Sequence, residues 1–149
     1  MILDDIVRRT EKRVALLPES YPEPSRNNHA SLIKAIRERD GRNAVIAEIK
    51  CASPSRGIIR RNVDMAQMAG VLAGAGCVAL SVLTEPYFFG GTGQDIARVK
   101  SAVDIPVLRK DFIIDERQIA ESRALGADAV LLIAAVLRER LPAFVDMAI

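Results

Sequence analysis

Near the start of the chain, Ile2, Leu3, Ile6, Val7 and Val14 recur at helical spacing among charged residues. This pattern predicts an amphipathic helix over residues 3–16 that stops before Pro18. A polar linker follows through Tyr21-Pro22-Glu23-Pro24-Ser25-Arg26-Asn27-Asn28, because a helix cannot run through its two prolines. Leu32, Ile33 and Ile36 then predict a short helical segment that ends near Gly41.

From residue 45 the rhythm changes to short apolar runs of strand length separated by helical patterns. The predicted strands are Val45–Lys50, Val78–Leu83, Val107–Lys110 and Ala129–Ile133. A loop at Ala52–Gly57 follows the first strand, and a loop with Tyr87, Phe88, Phe89, Gly90 and Gly91 follows the second. Asp64, Met65, Met68, Ala69 and Leu72 give a helix closed by Gly74 and Gly76, and Ile96, Val99 and Val103 mark another. Asp115 can cap a helix carrying Ile119 and Leu125, with Gly126 just past its end. A last helix begins at Leu141 and is cut off by the chain end at Ile149.

Continuously apolar strands alternating with helices imply a parallel sheet buried on both faces. The run Gly74-Ala75-Gly76-Cys77-Val78-Ala79-Leu80 returns in weaker form as Gly126-Ala127-Asp128-Ala129-Val130-Leu131-Leu132. That spacing corresponds to two βα units of about 26 residues each, the usual length in a (βα)8 barrel of about 250 residues. Four units cannot close such a barrel, which needs eight strands. A fragment, a half-barrel that pairs with another chain and a small open sheet all remain compatible with the pattern.

Composition narrows the classes. Half of the 149 residues are hydrophobic, enough for one ordinary core. The +2 charge is a small imbalance between 21 basic and 19 acidic residues without any long like-charge block, so nucleic acid is not the expected partner. Cys51 and Cys77 show no CxxC spacing and no companion histidine cluster, which points to a reduced chain without a structural metal. The single histidine, His29, reads as a surface residue with no relay partner. The acids at Asp4 and Asp5 do not suit a signal peptide, and no apolar stretch reaches the 18 residues needed to span a bilayer. The expectation is a cytoplasmic protein with no membrane partner.

Candidate chemistry concentrates at the strand ends, where a barrel of this kind binds its ligand. Glu48 and Lys50 are two apart on the first strand and share its inner face, where an acid and an ammonium must pair or meet a ligand. A structural ion pair inside the sheet is the other reading. Lys110 closes the third strand, where a partly desolvated lysine can act as a general acid near neutral pH. Its alternative is a surface lysine at a strand terminus.

Three segments carry a family resemblance. They are Ile46-Ala47-Glu48-Ile49-Lys50-Cys51-Ala52-Ser53-Pro54-Ser55, then Leu80-Ser81-Val82-Leu83-Thr84-Glu85 with Tyr87-Phe88-Phe89-Gly90-Gly91, and Pro106-Val107-Leu108-Arg109-Lys110-Asp111-Phe112-Ile113. In this order they resemble the leading signatures of the indole-3-glycerol phosphate synthases, and Ile2-Leu3-Asp4-Asp5-Ile6-Val7 resembles that family's extra N-terminal helix. The resemblance implies an α/β fold of the (βα)8 TIM-barrel family: residues 1–44 as a helical extension and residues 45–149 as the first half of the barrel.

It also implies a carboxy-lyase of tryptophan biosynthesis. The substrate would be 1-(2-carboxyphenylamino)-1-deoxyribulose 5-phosphate, whose ring closes with loss of CO2 and then water, without cofactor or metal. Lys110 would protonate the substrate carbonyl. Lys50 would bind the substrate carboxylate or phosphate and take part in proton transfer, and Glu48 would hold both lysines and assist dehydration. Ser53 would contact substrate, while Phe89, Phe112 and Leu131 would pack around the anthranilate ring; plain core packing is the alternative for either phenylalanine. Cys51 departs from the family, many members having a basic residue there. The family's fifth-strand general base, its sixth-strand asparagine and arginine and its phosphate-gripping loops would lie beyond Ile149, so the chain alone is expected to be inactive. The rival reading is a non-catalytic half-barrel that binds a phosphorylated ligand or self-associates through open sheet edges.

Overall fold

A computed structural model describes residues 1–22, 29–39, 41 and 43–149. The stretch Glu23–Asn28 of the expected linker lies outside the described residues. Helix α1 covers Ile2–Val14, with Asp4 and Asp5 in its first turn and Lys12 and Arg13 in its last, each sign placed to suit the helix dipole. It buries Ile6, Thr10 and Val14 and leaves most of its charges outside, Arg13 being the half-buried exception. The short helix α2, Leu32–Arg37, starts at Ser31, whose hydroxyl accepts the Lys34 N–H at 3.2 Å.

The βα succession follows. Strand β1 is Ile46–Ile49, and the segment expected as a loop after it contains a small antiparallel hairpin, β2 (Ala52–Ser53) and β3 (Gly57–Ile58). Gly57 can turn this hairpin because it sits at φ +61°, a backbone conformation that side chains disfavour. Then come helix α3 (Met65–Gly74), strand β4 (Ala79–Leu83), helix α4 (Gln94–Lys100), strand β5 (Val107–Lys110), helix α5 (Glu116–Ala124) and strand β6 (Ala129–Val130). Helix α6 (Ala134–Leu137), a 3-10 turn at Arg138–Arg140 and helix α7 (Leu141–Ala148) complete the order.

Asp115 caps α5 as expected, its carboxylate accepting the Arg117 N–H at 2.9 Å while the Gln118 side chain reaches back to the Asp115 N–H at 3.1 Å. Gly126, at φ +89°, ends that helix, and the N–H groups of Gly126 and Ala127 donate to the last-turn carbonyls of Arg123 and Ser122.

The four strands β1, β4, β5 and β6 pair in parallel in that order. Chain order and spatial order coincide, as successive units of a βα barrel require. Alternation divides the side chains. Ile49, Leu80, Val82 and Val107 face the helices and form one core with Met65, Ala69, Ile96, Val99 and Ala127. Glu48, Ser81, Leu108 and Lys110 occupy the other face. A second small core, Ile113, Leu137 and Phe144, fixes the C-terminal helices.

The fourth strand is shorter than its pattern predicts. Regular pairing stops at Val130, and Leu131 is not part of the strand, although its N–H still donates to the Arg109 carbonyl at 3.2 Å. The physical reason is the edge: among the described residues nothing pairs with the outer side of β6, while the turn into α6 draws Leu132 onto the second core. Lys50 likewise falls just past the end of β1.

Candidate active site

Parallel pairing sets the C-terminal ends of β1, β4 and β5 side by side. Glu48 lies opposite Ser81, and Leu83 opposite Lys110. The Glu48 carboxylate bridges two ammonium groups from different strand ends: Lys50 Nζ donates to Oε1 at 2.9 Å and Lys110 Nζ to Oε2 at 2.8 Å. Lys50 is two positions from Glu48 in the chain and Lys110 is 62 positions away, so strand pairing is what brings Lys110 to the same carboxylate. All three side chains are partly open, at 29% for Glu48, 34% for Lys50 and 41% for Lys110. Burial pushes the Glu48 carboxyl up, but the hydrogen bonds and charges of Lys110 and Lys50 outweigh it and hold the group below the usual carboxylate range. Glu48 therefore stays ionised and keeps both ammonium groups oriented toward one spot.

The loops that follow β4 and β5 also carry an aromatic pair. Phe89, from the loop after β4, and Phe112, just past β5, have ring centroids 6.3 Å apart with planes tilted by 33°. Ser53 is buried at the hairpin turn, where its hydroxyl accepts the Arg56 N–H at 3.2 Å. The preceding residue, Ala52, donates its N–H to the Phe89 carbonyl at 3.0 Å, so the first and second loops are tied together. Leu131 is half-buried, and the N–H bond to Arg109 carries the β5–β6 register on to the level of Lys110. Glu48, Lys50 and Lys110 thus form one cluster, Phe89 and Phe112 form a ring pair, and Ser53 and Leu131 join them only through backbone links.

Several polar residues around the cluster escaped the sequence reading. Arg109 is buried on the helix-facing side of β5, where an apolar residue would be expected. Its guanidinium is nonetheless satisfied, donating to Thr84 Oγ1 at 3.1 Å, Ser122 Oγ at 3.0 Å and Asp111 Oδ2 at 3.0 Å, with Glu121 at 2.8 Å. Asp111 is gripped from the other side by Arg13 of α1, at 2.7 and 3.0 Å, and it accepts the Thr84 hydroxyl at 2.8 Å. This buried network fixes the backbone between Lys110 and Phe112, because Asp111 also accepts the Phe112 N–H at 2.8 Å. The signal in sequence was the Arg109-Lys110-Asp111 run of charges at the end of an apolar strand. Ser81 is a further case: buried on the same face as Glu48, its hydroxyl has no hydrogen-bond partner among the described residues.

His29 is exposed as expected, with Nδ1 3.9 Å from Asp128. Burial raises both cysteine thiols; the charge of Asp95 adds to the effect at Cys51, while backbone hydrogen bonds oppose it at Cys77, so neither has the lowered pKa that makes a nucleophile. Among the described residues no three metal-ligating side chains converge, and no helix is long and apolar enough to cross a membrane.

Comparison with known proteins adds the family. The family model described as indole-3-glycerol phosphate synthase matches residues 3–148. The chain is 45% identical over 155 residues to the indole-3-glycerol phosphate synthase of Caldanaerobacter subterraneus subsp. tengcongensis, covering 99% of this chain and 59% of that protein. It is 49% identical over 126 residues to the synthase of Geobacillus thermodenitrificans, covering 85% and 48%, and 44% identical over 144 residues to that of Burkholderia multivorans, covering 91% and 55%. The chain therefore spans about half the length of the curated relatives it matches. With four parallel βα units in barrel order and this match over nearly its whole length, the chain belongs to the indole-3-glycerol phosphate synthase family of (βα)8 barrels.

Proposed function

We propose that this chain supplies the general-acid half of an indole-3-glycerol phosphate synthase, a carboxy-lyase of tryptophan biosynthesis acting in the cytoplasm. Residues 1–44 are its helical extension and residues 45–149 the first half of its barrel. The substrate is the phosphorylated anthranilate-ribulose adduct, 1-(2-carboxyphenylamino)-1-deoxyribulose 5-phosphate.

The observation that carries this reading is the single Glu48 carboxylate holding Lys50 and Lys110 at 2.9 and 2.8 Å, with the Phe89–Phe112 pair on the segments that follow β4 and β5. In the proposed reaction the aromatic ring of the substrate lies against Phe89, Phe112 and Leu131, whose apolar faces suit it. Lys110 donates a proton to the carbonyl oxygen as the ring carbon attacks, so that no full alkoxide charge develops. CO2 then leaves the ring carbon, which regains its aromatic electrons. Lys50, with Ser53, holds the substrate's anionic groups. Glu48 orients both lysines throughout and assists the loss of water: the hydroxyl formed from the carbonyl leaves together with a proton of the adjacent nitrogen-bearing carbon, and the new carbon–carbon double bond completes the indole. The reading requires no metal or cofactor.

Mixing this chain with the C-terminal segment of the Caldanaerobacter relative tests the proposal. Appearance of indole-3-glycerol phosphate only when both segments are present supports it, and no turnover from a soluble, folded mixture overturns it.

A second reading rests on the sheet edges. At the β1 edge, Val45 just before the strand is 54% exposed and Ile46 at its start 41%, and an unpaired edge of this kind invites another strand. Self-association of the chain through β1 or β6 is the expected consequence.

A further inference from the structure

Glu85 lies just beyond the end of β4, and its side chain is wholly buried. Its two oxygens accept three successive backbone N–H groups: Oε1 takes Tyr87 at 3.0 Å, and Oε2 takes Phe88 at 2.7 Å and Phe89 at 3.1 Å. These bonds are charge-assisted and shielded from water, so together they fix the backbone of the segment that carries Phe89. The same turn is closed again by the Glu85 carbonyl, which accepts the Gly91 N–H at 3.0 Å. A Cβ at Gly91 would run into the Leu83 carbonyl, which shows how tightly the turn folds back on its strand. Farther out, the Phe89 carbonyl accepts the Ala52 N–H at 3.0 Å, one residue before Ser53. The chain of contacts therefore runs from one buried carboxylate to the aromatic pair and on to the Ser53 turn.

We infer that Glu85 is a positioning residue: it sets Phe89 against Phe112 and, through the Phe89 carbonyl, holds the Ser53 turn in place for the aromatic substrate. The inference rests on the proposed reading of Phe89, Phe112 and Ser53 as the substrate surface. A neutral side chain of the same shape cannot replace it. In Glu85→Gln one oxygen becomes an NH2 group, which meets backbone N–H groups donor to donor and forfeits at least one of the three bonds.

The test compares wild type with Glu85→Gln, using exposed Arg37→Ala as a control. Amide hydrogen exchange on the chain should quicken by about tenfold or more at Phe88, Phe89 and Ala52, as loss of one charge-assisted bond implies. Exchange at Leu80, whose N–H is bonded to the Pro106 carbonyl within the sheet, should not change. With the complementing segment present, KM for the ribulose phosphate substrate should rise by about tenfold while kcat stays within about twofold, because ring placement and not proton donation is disturbed.

Unchanged exchange at Phe88 and Phe89 overturns the inference, and so does an equal increase at Leu80, which would mean general destabilisation. An unchanged KM alongside faster loop exchange overturns the link to substrate. If the wild-type mixture does not turn over while exchange changes as described, the synthase reading fails and the hold of Glu85 on the loop stands.

Discussion

Replacing Arg13 by Met should destabilise the chain by about 2–3 kcal/mol at neutral pH. The Arg13 guanidinium makes a bidentate pair with Asp111, whose side chain is fully buried while that of Arg13 is 20% exposed. Breaking a buried pair by removing one partner costs about 3–5 kcal/mol when the other charge is left uncompensated. Here Asp111 keeps Arg109, the Thr84 hydroxyl and the Phe112 N–H, which reduces the cost. With a urea slope of about 1–3 kcal/mol per molar for a chain of this size, the midpoint should fall by about 1–2 M. Far-UV circular dichroism is the suitable probe, since the chain has no tryptophan.

The effect should also depend on pH in a definite direction. Burial pushes the Asp111 carboxyl up, but the hydrogen bond from Arg13, the charges of Arg109 and Arg13 and the Thr84 hydroxyl outweigh it and hold it below the usual range. A depressed folded-state pKa gives stability that is fully present above the unfolded value of about 4 and is lost as pH falls through the folded value. The gap between wild type and Arg13→Met should therefore narrow as the pH drops below about 4. A midpoint shift under about 0.3 M at pH 7, or a gap that stays constant down to pH 3, would refute the electrostatic account.

Three further outcomes follow from the geometry. Gly91→Ala should cost at least about 2 kcal/mol in thermal or urea unfolding, because the new Cβ meets the Leu83 backbone and not a side chain that can move aside; a loss under about 0.5 kcal/mol would contradict it. Asp115→Ala should lower stability by about 1 kcal/mol through loss of the α5 cap, with the exchange of the Arg117 amide rising first. Light scattering should show concentration-dependent association of the wild-type chain that Ile46→Lys suppresses, and a clean wild-type monomer at high concentration would count against a sticky β1 edge.

The order of elements was legible because each depends on local pattern. Apolar runs at Val78–Leu83 and Val107–Lys110, and the Asp115 and Gly126 punctuation, correspond to structures that local chemistry determines. The pairing of Glu48 with Lys50 was open to reading because two-residue spacing fixes a shared face, whereas its second pairing, with Lys110, depends on strand register. What escaped was whatever depends on tertiary partners. The Ala52–Ser53 and Gly57–Ile58 hairpin is too short for a periodic signal, and the early end of β6 reflects a missing neighbour on its outer side among the described residues. Arg109 and Asp111 look like surface charges in sequence; only the arrival of Arg13, Thr84, Glu121 and Ser122 makes their burial tolerable.

The most direct test of the central claim is the rate of the complemented synthase for wild type, Lys110→Ala and Arg37→Ala measured side by side. The Lys110 side chain is partly open and its ammonium group is bonded to Glu48, so its removal should leave the fold largely intact while taking away the proton donor. The account predicts a rate at least about a hundredfold lower for Lys110→Ala, the usual contribution of a general acid, and a rate close to wild type for Arg37→Ala. Equal rates for wild type and Lys110→Ala would contradict the account, and the proton donor would then have to be sought at Lys50.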